Sequence, residues 1–583
     1  MTDQAATGLQ GFGGASQVRR RTGWSSGVSP AVLGLAGILV FCVVPPLIFL
    51  VMASLHETNY DGSMGAFTLE HYKTLLGGAR FFRHLTTSAL FALGSAIVAL
   101  FIGGLQAWIV ERTNTPGRQY VLCVAIVSLG VPTVLYTISL LLILGKTGPV
   151  NQMLMSMLGQ TEPVLNIYTL GGMILVEGIE FAPLCFLLLS AVFRNNDPAL
   201  EEAAMMSGAN VGQILKRITL RLALPGIFAL LILTFIRAIE AFETPALVGR
   251  PGRVDVLTTD IYGSMQHSPP DYGEAGSFSM ILLVIVGFLL FLYSYTAKNA
   301  ARYQTISGKG FRPRIIDLGP WRWVTFGILV TVFAVTVALP LIMLLWVSFQ
   351  PFYEGVRVAA LDLVTLKHYR AVFASEAFRE AIVNTLVLGA ATAASVVSFT
   401  AVCAWLVTRR FRGAWILDQL CSAPLIFPAI VMAVAMLEIF LNMPVPLYGT
   451  LLSIIIASAI HYLPYGMRYS YAGILQIHRE LEEAASVSGA QGPTIFLRIV
   501  VPLVAPALIA GGLFVFLVSV KAVSIPILLA GPNSRVVAVA LFDMWQNGLL
   551  GELSAIGVLW SLFMTAVSLF LFTFIRRFGL AVR

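Results

Sequence analysis

The chain has 583 residues, of which 57% are hydrophobic and 11% charged; soluble domains carry about 25% charged residues. This balance excludes an ordinary soluble enzyme and predicts an all-α polytopic membrane protein with room for two membrane domains. The net charge of +8 does not point to nucleic acid, because the basic residues stand in short segments between apolar runs, where they orient a chain in the lipid bilayer.

Residues 1–28 are rich in Gly, Ser and Gln and carry Arg19, Arg20 and Arg21, the composition of a flexible cytosolic tail. The apolar run from Ala31 to Ala53 is too long for a signal-peptide core of roughly 7–15 residues and reads as a retained first span. A span needs about 20 apolar residues, and about twelve are expected. Six start near residues 31, 86, 121, 168, 225 and 276, and six near 323, 383, 415, 450, 503 and 551. The first membrane domain is expected over 29–297 and the second over 323–583. The linker between them, 298–322, holds Lys298, Arg302, Lys309, Arg312, Arg314 and Arg322. Most Lys and Arg fall on the linker's side of the bilayer, which puts both termini in the cytosol. The five cysteines all lie in apolar segments without a CxxC pair, so neither disulfides nor a cysteine metal site is expected.

The two halves repeat. Glu201-Glu202-Ala203-Ala204-Met205-Met206-Ser207-Gly208 returns as Glu482-Glu483-Ala484-Ala485-Ser486-Val487-Ser488-Gly489, an offset of 281 (483 − 202). Pro225 and Pro506 follow at the same offset, as do Pro245 and Pro526. Leu69-Glu70-His71-Tyr72-Lys73 resembles Leu366-Lys367-His368-Tyr369-Arg370, and Ala107-Trp108 matches Ala404-Trp405, at an offset of 297 (405 − 108). A repeat with an even number of spans inserts both halves in one orientation. That implies a pseudo-two-fold axis along the membrane normal and a pathway on it.

Within the first polar loop, 197–225, Asp197-Pro198 suits a helix start, and Glu201 and Glu202 suit its first turns. Ala203 and Ala204 keep the helix slim enough for a partner surface to approach. Gly208 suits the C-cap, and Asn210 can cap the next helix, which runs through Lys216-Arg217 towards Pro225. The second loop, 478–506, repeats this with Gly489, Arg498, Pro502 and Pro506, with His478-Arg479 in place of Asp197-Pro198. The spacing Glu-Ala-Ala-x-x-x-Gly-x9-Ile, ending at Ile218 and Ile499, resembles the EAA loop of ABC importer permeases of type I. A fused chain of this size resembles the ferric iron branch, which has relatives for thiamine, polyamines and phosphonates. The linker segment Tyr303–Pro313 is similar to that of fused iron-type permeases.

The resemblance implies a bacterial cytoplasmic (inner) membrane permease that pairs with two copies of a cytosolic ABC ATPase and an external, periplasmic solute-binding protein. Glu202, Ala203, Ala204 and Gly208, with Glu483, Ala484, Ala485 and Gly489, would form the two ATPase-coupling helices. ATP and Mg would be used by the partner, and no cofactor is expected in this chain. The first half departs from the pattern: Leu220-Arg221 stands where Val501-Pro502 does in the second, so the two docking sites are expected to be unequal.

Charges inside spans are costly and mark function by default. The fifth span carries Arg237, Glu240 and Glu243 and the eleventh carries Lys521; Glu240 and Lys521 are equivalent at offset 281. Glu180 and His461 are likewise equivalent, each three residues before a Pro, Pro183 and Pro464. These residues are candidates to line or gate a pathway, although Arg237 and Glu240 also stand at i,i+3, where they can neutralise each other locally. Glu177 and Glu438 receive no role. There is no P-loop: Gly145-Lys146-Thr147 has Leu140 where the first Gly is needed. The alternative is an ion-coupled secondary transporter of twelve spans, which has no need of paired Glu-Ala-Ala helices.

Overall fold

The computed structural model describes residues 29–59, 64–195, 199–300, 315–356 and 358–577. The expected tail 1–28, the Asp197-Pro198 helix start and most of the expected linker lie outside the described residues. In hydrocarbon a backbone must satisfy its own polar groups, so the apolar runs resolve as helices. The one sheet among the described residues is a pair of short antiparallel strands, His56–Thr58 and Met64–Phe67, on the segment that follows the first helix.

The first half contributes Pro30–Ser54, Ala79–Arg112, Leu170–Asn195, Leu220–Ile239 and Tyr272–Ala300. The second contributes Arg322–Phe333 with Leu339–Ser348, then Glu376–Thr408, Leu451–Leu475, Val501–Lys521 and Leu550–Arg577. The helix after each loop is entered through a π turn at equivalent positions, Leu215–Thr219 and Phe496–Val500.

The third span differs from the expectation in both halves. Arg118–Gly130 stops before Pro132 and Thr133–Leu144 starts after it. Trp415–Ser422 and a short turn likewise stop before Pro428, and Ala429–Asn442 follows; this pair is bent by 102°. Each proline takes an extended backbone (ψ 136° and 146°) and cannot continue the preceding helix. Among the described residues ten helices are long and apolar enough to cross a membrane, or eleven with the bent pair, in keeping with the about twelve expected. The helix that falls short is Leu451–Leu475: its 25 residues suffice in length, but they include His461, Arg468 and four tyrosines.

The same helix pair forms the scaffold of each half, Ala79–Arg112 against Leu170–Asn195 and Glu376–Thr408 against Leu451–Leu475. The halves then exchange their first helices. Pro30–Ser54 packs on the second half's broken third span, and Arg322–Ser348 packs on that of the first. The apolar core is therefore shared: Leu135, Met173 and Phe242 bury against Val347, Val520 and Phe542, and the rings of Phe242 and Phe542 lie 6.1 Å apart.

Candidate functional site

The first polar loop forms the helix Ala199–Met206 and the second forms Glu480–Val487. Each helix turns one acid inward. Glu201 is only 4% exposed. Its Oε2 lies 3.5 Å from Nη1 of Arg112, the last residue of the Ala79–Arg112 helix, and Thr219 Oγ1 donates to its Oε1 at 2.8 Å. Glu482 is buried at the equivalent place. Arg409 Nη2 reaches its Oε1 at 2.6 Å and Nε donates to the same oxygen at 2.7 Å, while Trp405 Nε1 donates to Oε2 at 3.0 Å. Each arginine also donates to a carbonyl near the end of the span that enters the loop, Arg112 to Phe193 at 2.7 Å and Arg409 to Ile477 at 3.3 Å. Removing one partner of such a buried pair leaves an uncompensated charge, at a cost of about 3–5 kcal/mol.

The second acid of the second loop is placed differently. Glu483 is exposed and pairs with Arg479 at 3.1 Å along its own helix, an arrangement worth at most about 1 kcal/mol. The backbone of Glu202 continues the first loop helix, and its side chain lies outside the described ones. The outer face of both helices is apolar and open. Leu200, Ala203 and Met206 share one face of the first, and Leu481, Ala484 and Val487 repeat it in the second. Met206 is 86% exposed and Val487 90%. Ala204 and Ala485 are half-buried behind that face. Gly208 and Gly489 end the helices with φ of +84° and +86°, and a Cβ added to either would meet nothing within 4 Å. Glycine is needed there for the left-handed turn rather than for space. Asn210 Oδ1 accepts from the Gln213 N–H at 2.9 Å and Gln213 Oε1 accepts from the Asn210 N–H at 3.0 Å, a reciprocal cap on the next helix.

The second candidate region is a cavity of about 130 Å³ between the halves. The five pathway candidates named from the sequence, Glu180, Arg237, Glu240, His461 and Lys521, all line it, together with Glu177 and Glu243. Its wall is built from equivalent positions: Glu180 with His461, Phe181 with Tyr462, Arg237 with Val518, Glu240 with Lys521, Ala241 with Ala522, and Glu243 with Ser524. One such pair touches directly, Ser524 Oγ donating to Glu243 Oε1 at 3.2 Å. Equivalent residues meet only at a symmetry axis, so the cavity sits on the pseudo-two-fold. Apart from Ala241 and Ala522, the matched positions carry unmatched chemistry: the first half supplies the carboxylates and Arg237, the second the lysine, the histidine and the tyrosine hydroxyls.

Within the wall, Arg237 Nη1 lies 3.5 Å from Glu240 Oε2 on the same helix, and Thr133 Oγ1 donates to Glu180 Oε1 at 2.6 Å. Glu177 Oε2, Glu180 Oε2 and His461 Nδ1, on residues that line the cavity, are buried and make no hydrogen bond within the chain. Glu438 lines a separate, smaller pocket with Tyr272 and His56. The sequence reading did not identify Arg112 and Arg409, the residues that hold the loop helices. The signal was present: the Trp108–Trp405 match continues four residues on to Arg112 and Arg409 at the same offset.

The family of binding-protein-dependent transport system inner membrane components matches residues 96–301 and 397–582. The chain belongs to this family and is a multi-span permease of the ABC importer class. It is 26% identical over 559 residues to the ferric transport system permease protein FbpB of Actinobacillus pleuropneumoniae, covering 93% of this chain and 77% of that protein. It is 26% identical over 518 residues to the putative ferric transport system permease protein FbpB 1 of Haemophilus influenzae, covering 86% and 77%. A shorter likeness, 27% over 263 residues, is to the putative 2-aminoethylphosphonate transport system permease protein PhnU of Salmonella typhimurium, covering 45% of this chain and 91% of that one.

Proposed function

We propose that this permease carries ferric iron across the cytoplasmic membrane through the axial cavity, driven by two copies of a cytosolic ATPase seated on the Ala199–Met206 and Glu480–Val487 helices. ATP and Mg are used by that partner. A solute-binding protein delivers iron at the outer face, both termini lie in the cytosol, and the cavity opens alternately to either side. One observation carries the reading: two equivalent surface helices each expose a short apolar face while an inward acid fixes them to the membrane domain. A secondary transporter has no use for that pair.

The choice of solute rests on relatives and on charge. Two relatives that match 93% and 86% of the chain are named for ferric transport. Four glutamates line the cavity against Arg237 and Lys521, a balance that favours a cation over a phosphonate. Among the described residues no three His, Cys, Asp or Glu converge closely enough to hold a metal ion, which suits a path that must release its cargo. The test is reconstitution of the chain in vesicles with an ATPase and a binding protein from the same cell. Uptake of ferric iron is expected only with ATP inside and loaded binding protein outside. Uptake driven by an ion gradient without ATP would establish the secondary transporter instead.

A further inference from the structure

We infer that Arg112 and Arg409 are the positioning residues of the drive: each guanidinium locks one loop helix to the second span of its own half, so that helix and span move as one body. This rests on the reading that the loop helices receive ATPases.

The first argument is the repeat itself. The arginines follow one offset and the glutamates another, so the chain between partners differs in length between the halves. The partners meet in both halves nevertheless. The second is connectivity. Each arginine ties three elements: the second span that bears it, the end of the span entering the loop, and the loop helix. Beyond the loop helix the chain passes a left-handed glycine and a π turn before the next span. The covalent route to that span thus contains two soft joints, whereas the ion pair is a short, buried one. The third is cost. A charge pair buried at such a place is seldom kept for stability alone, since an apolar pair of similar volume often serves as well or better. A link that must transmit direction as well as hold is a reason to keep it.

The test uses the full chain reconstituted with its ATPase and binding protein, in three variants of the second half. Glu482→Gln keeps the shape and removes the charge, Arg409→Lys keeps the charge and removes the fork, and Trp405→Phe removes the indole N–H bond while keeping an aromatic ring against Phe411 and Phe496. The ATPase is expected to co-purify with each at the parent ratio and to hydrolyse ATP within about twofold of the parent rate. Solute moved per ATP is expected to fall about tenfold for Glu482→Gln and Arg409→Lys, and a few-fold for Trp405→Phe. Spin labels at Arg412 and Ser486, both exposed, are expected to keep their separation on nucleotide binding in the parent and to lose it in Glu482→Gln. An unchanged ratio of solute to ATP in all three variants would overturn the inference. So would loss of ATPase co-purification, which would make the pair a docking support. Should Glu482→Gln or Arg409→Lys fail to insert, Trp405→Phe decides alone. If the parent chain itself recruits no ATPase, the proposed function fails and the inference with it.

Discussion

The two loop helices occupy equivalent places and are held by different chemistry. In the second half Arg409 grips Glu482 with two nitrogens at 2.6 and 2.7 Å, and Trp405 completes the carboxylate's shell. In the first half the Arg112–Glu201 contact is longer, 3.5 Å, and Thr219 takes the place of the indole. The position equivalent to Thr219 is Val500, which has no hydroxyl to offer. The first half has a further support. The end of the inter-half linker lies beside Arg112: the Ile316 N–H donates to the Arg112 carbonyl at 2.8 Å, and Asn114 donates to Asp317 at 2.5 Å. After Arg409 the chain folds on itself instead, with the Phe411 N–H bonded to the Leu406 carbonyl. What both halves preserve is the tether and its place; the bonds that make it are negotiable.

The largest test of this comparison is to delete each arginine. Arg409→Ala strips Glu482 of its cation and is expected to cost about 3–5 kcal/mol. Each acid keeps one neutral donor, Thr219 or Trp405, but Arg112→Ala removes a longer contact where Arg409→Ala removes two close ones, and it is expected to cost about 1.5–3 kcal/mol less, the worth of a hydrogen bond to a charged group. Thermal unfolding of the two purified variants in one detergent checks the order. A larger loss for Arg112→Ala would show that burial, greater at Arg112, outweighs pairing geometry.

A smaller effect is expected where the halves agree. Gly208 and Gly489 share a left-handed backbone and open surroundings, so Gly208→Val and Gly489→Val should each cost about 1–2 kcal/mol, and by the same amount. Neither meets a steric obstacle within the chain. Both are expected to weaken ATPase association and to lower solute moved per ATP, measured in the reconstituted transporter. A difference between them would place the asymmetry in the partner's surface rather than in this chain.

The sequence announced the span layout, because lipid leaves an apolar run little choice but a helix. It announced the repeat, because equal offsets need no structure to be seen. The breaks at Pro132 and Pro428 were equally written in the chain, but a mean over twenty apolar residues hides a single missing N–H. The Glu-Ala-Ala loops were legible as a pattern, and the role of each acid was not: Glu482 and Glu483 are adjacent, and which of them turns inward depends on Arg409, roughly seventy residues earlier. The gathering of Glu180, Arg237, Glu240, His461 and Lys521 around one cavity followed from offset and polarity together. The exchange of first helices between halves left no trace, since lipid-facing and partner-facing apolar residues read alike.

The smallest effect concerns the strap beside Arg112, which has no counterpart beside Arg409 among the described residues. The Gly319 N–H and the Asn114 amide both donate to Asp317 and hold its carboxyl below the usual carboxylate range. A lowered carboxyl contributes its stabilisation above its unfolded value and loses it as pH falls through the lowered one. The strap should therefore stay closed across neutral and mildly acidic conditions and loosen only in strong acid. Amide exchange at Ile316, whose N–H reaches the Arg112 carbonyl, reports this directly. After correction for intrinsic exchange, its protection is expected to be flat between about pH 5 and 8 and to fall several-fold in Asp317→Asn. The strap touches the backbone of Arg112 rather than its guanidinium, so the same variant should leave solute moved per ATP unchanged. If that ratio falls with the protection, the first half's longer ion pair depends on the linker to hold its geometry, and the two tethers differ in kind as well as in strength.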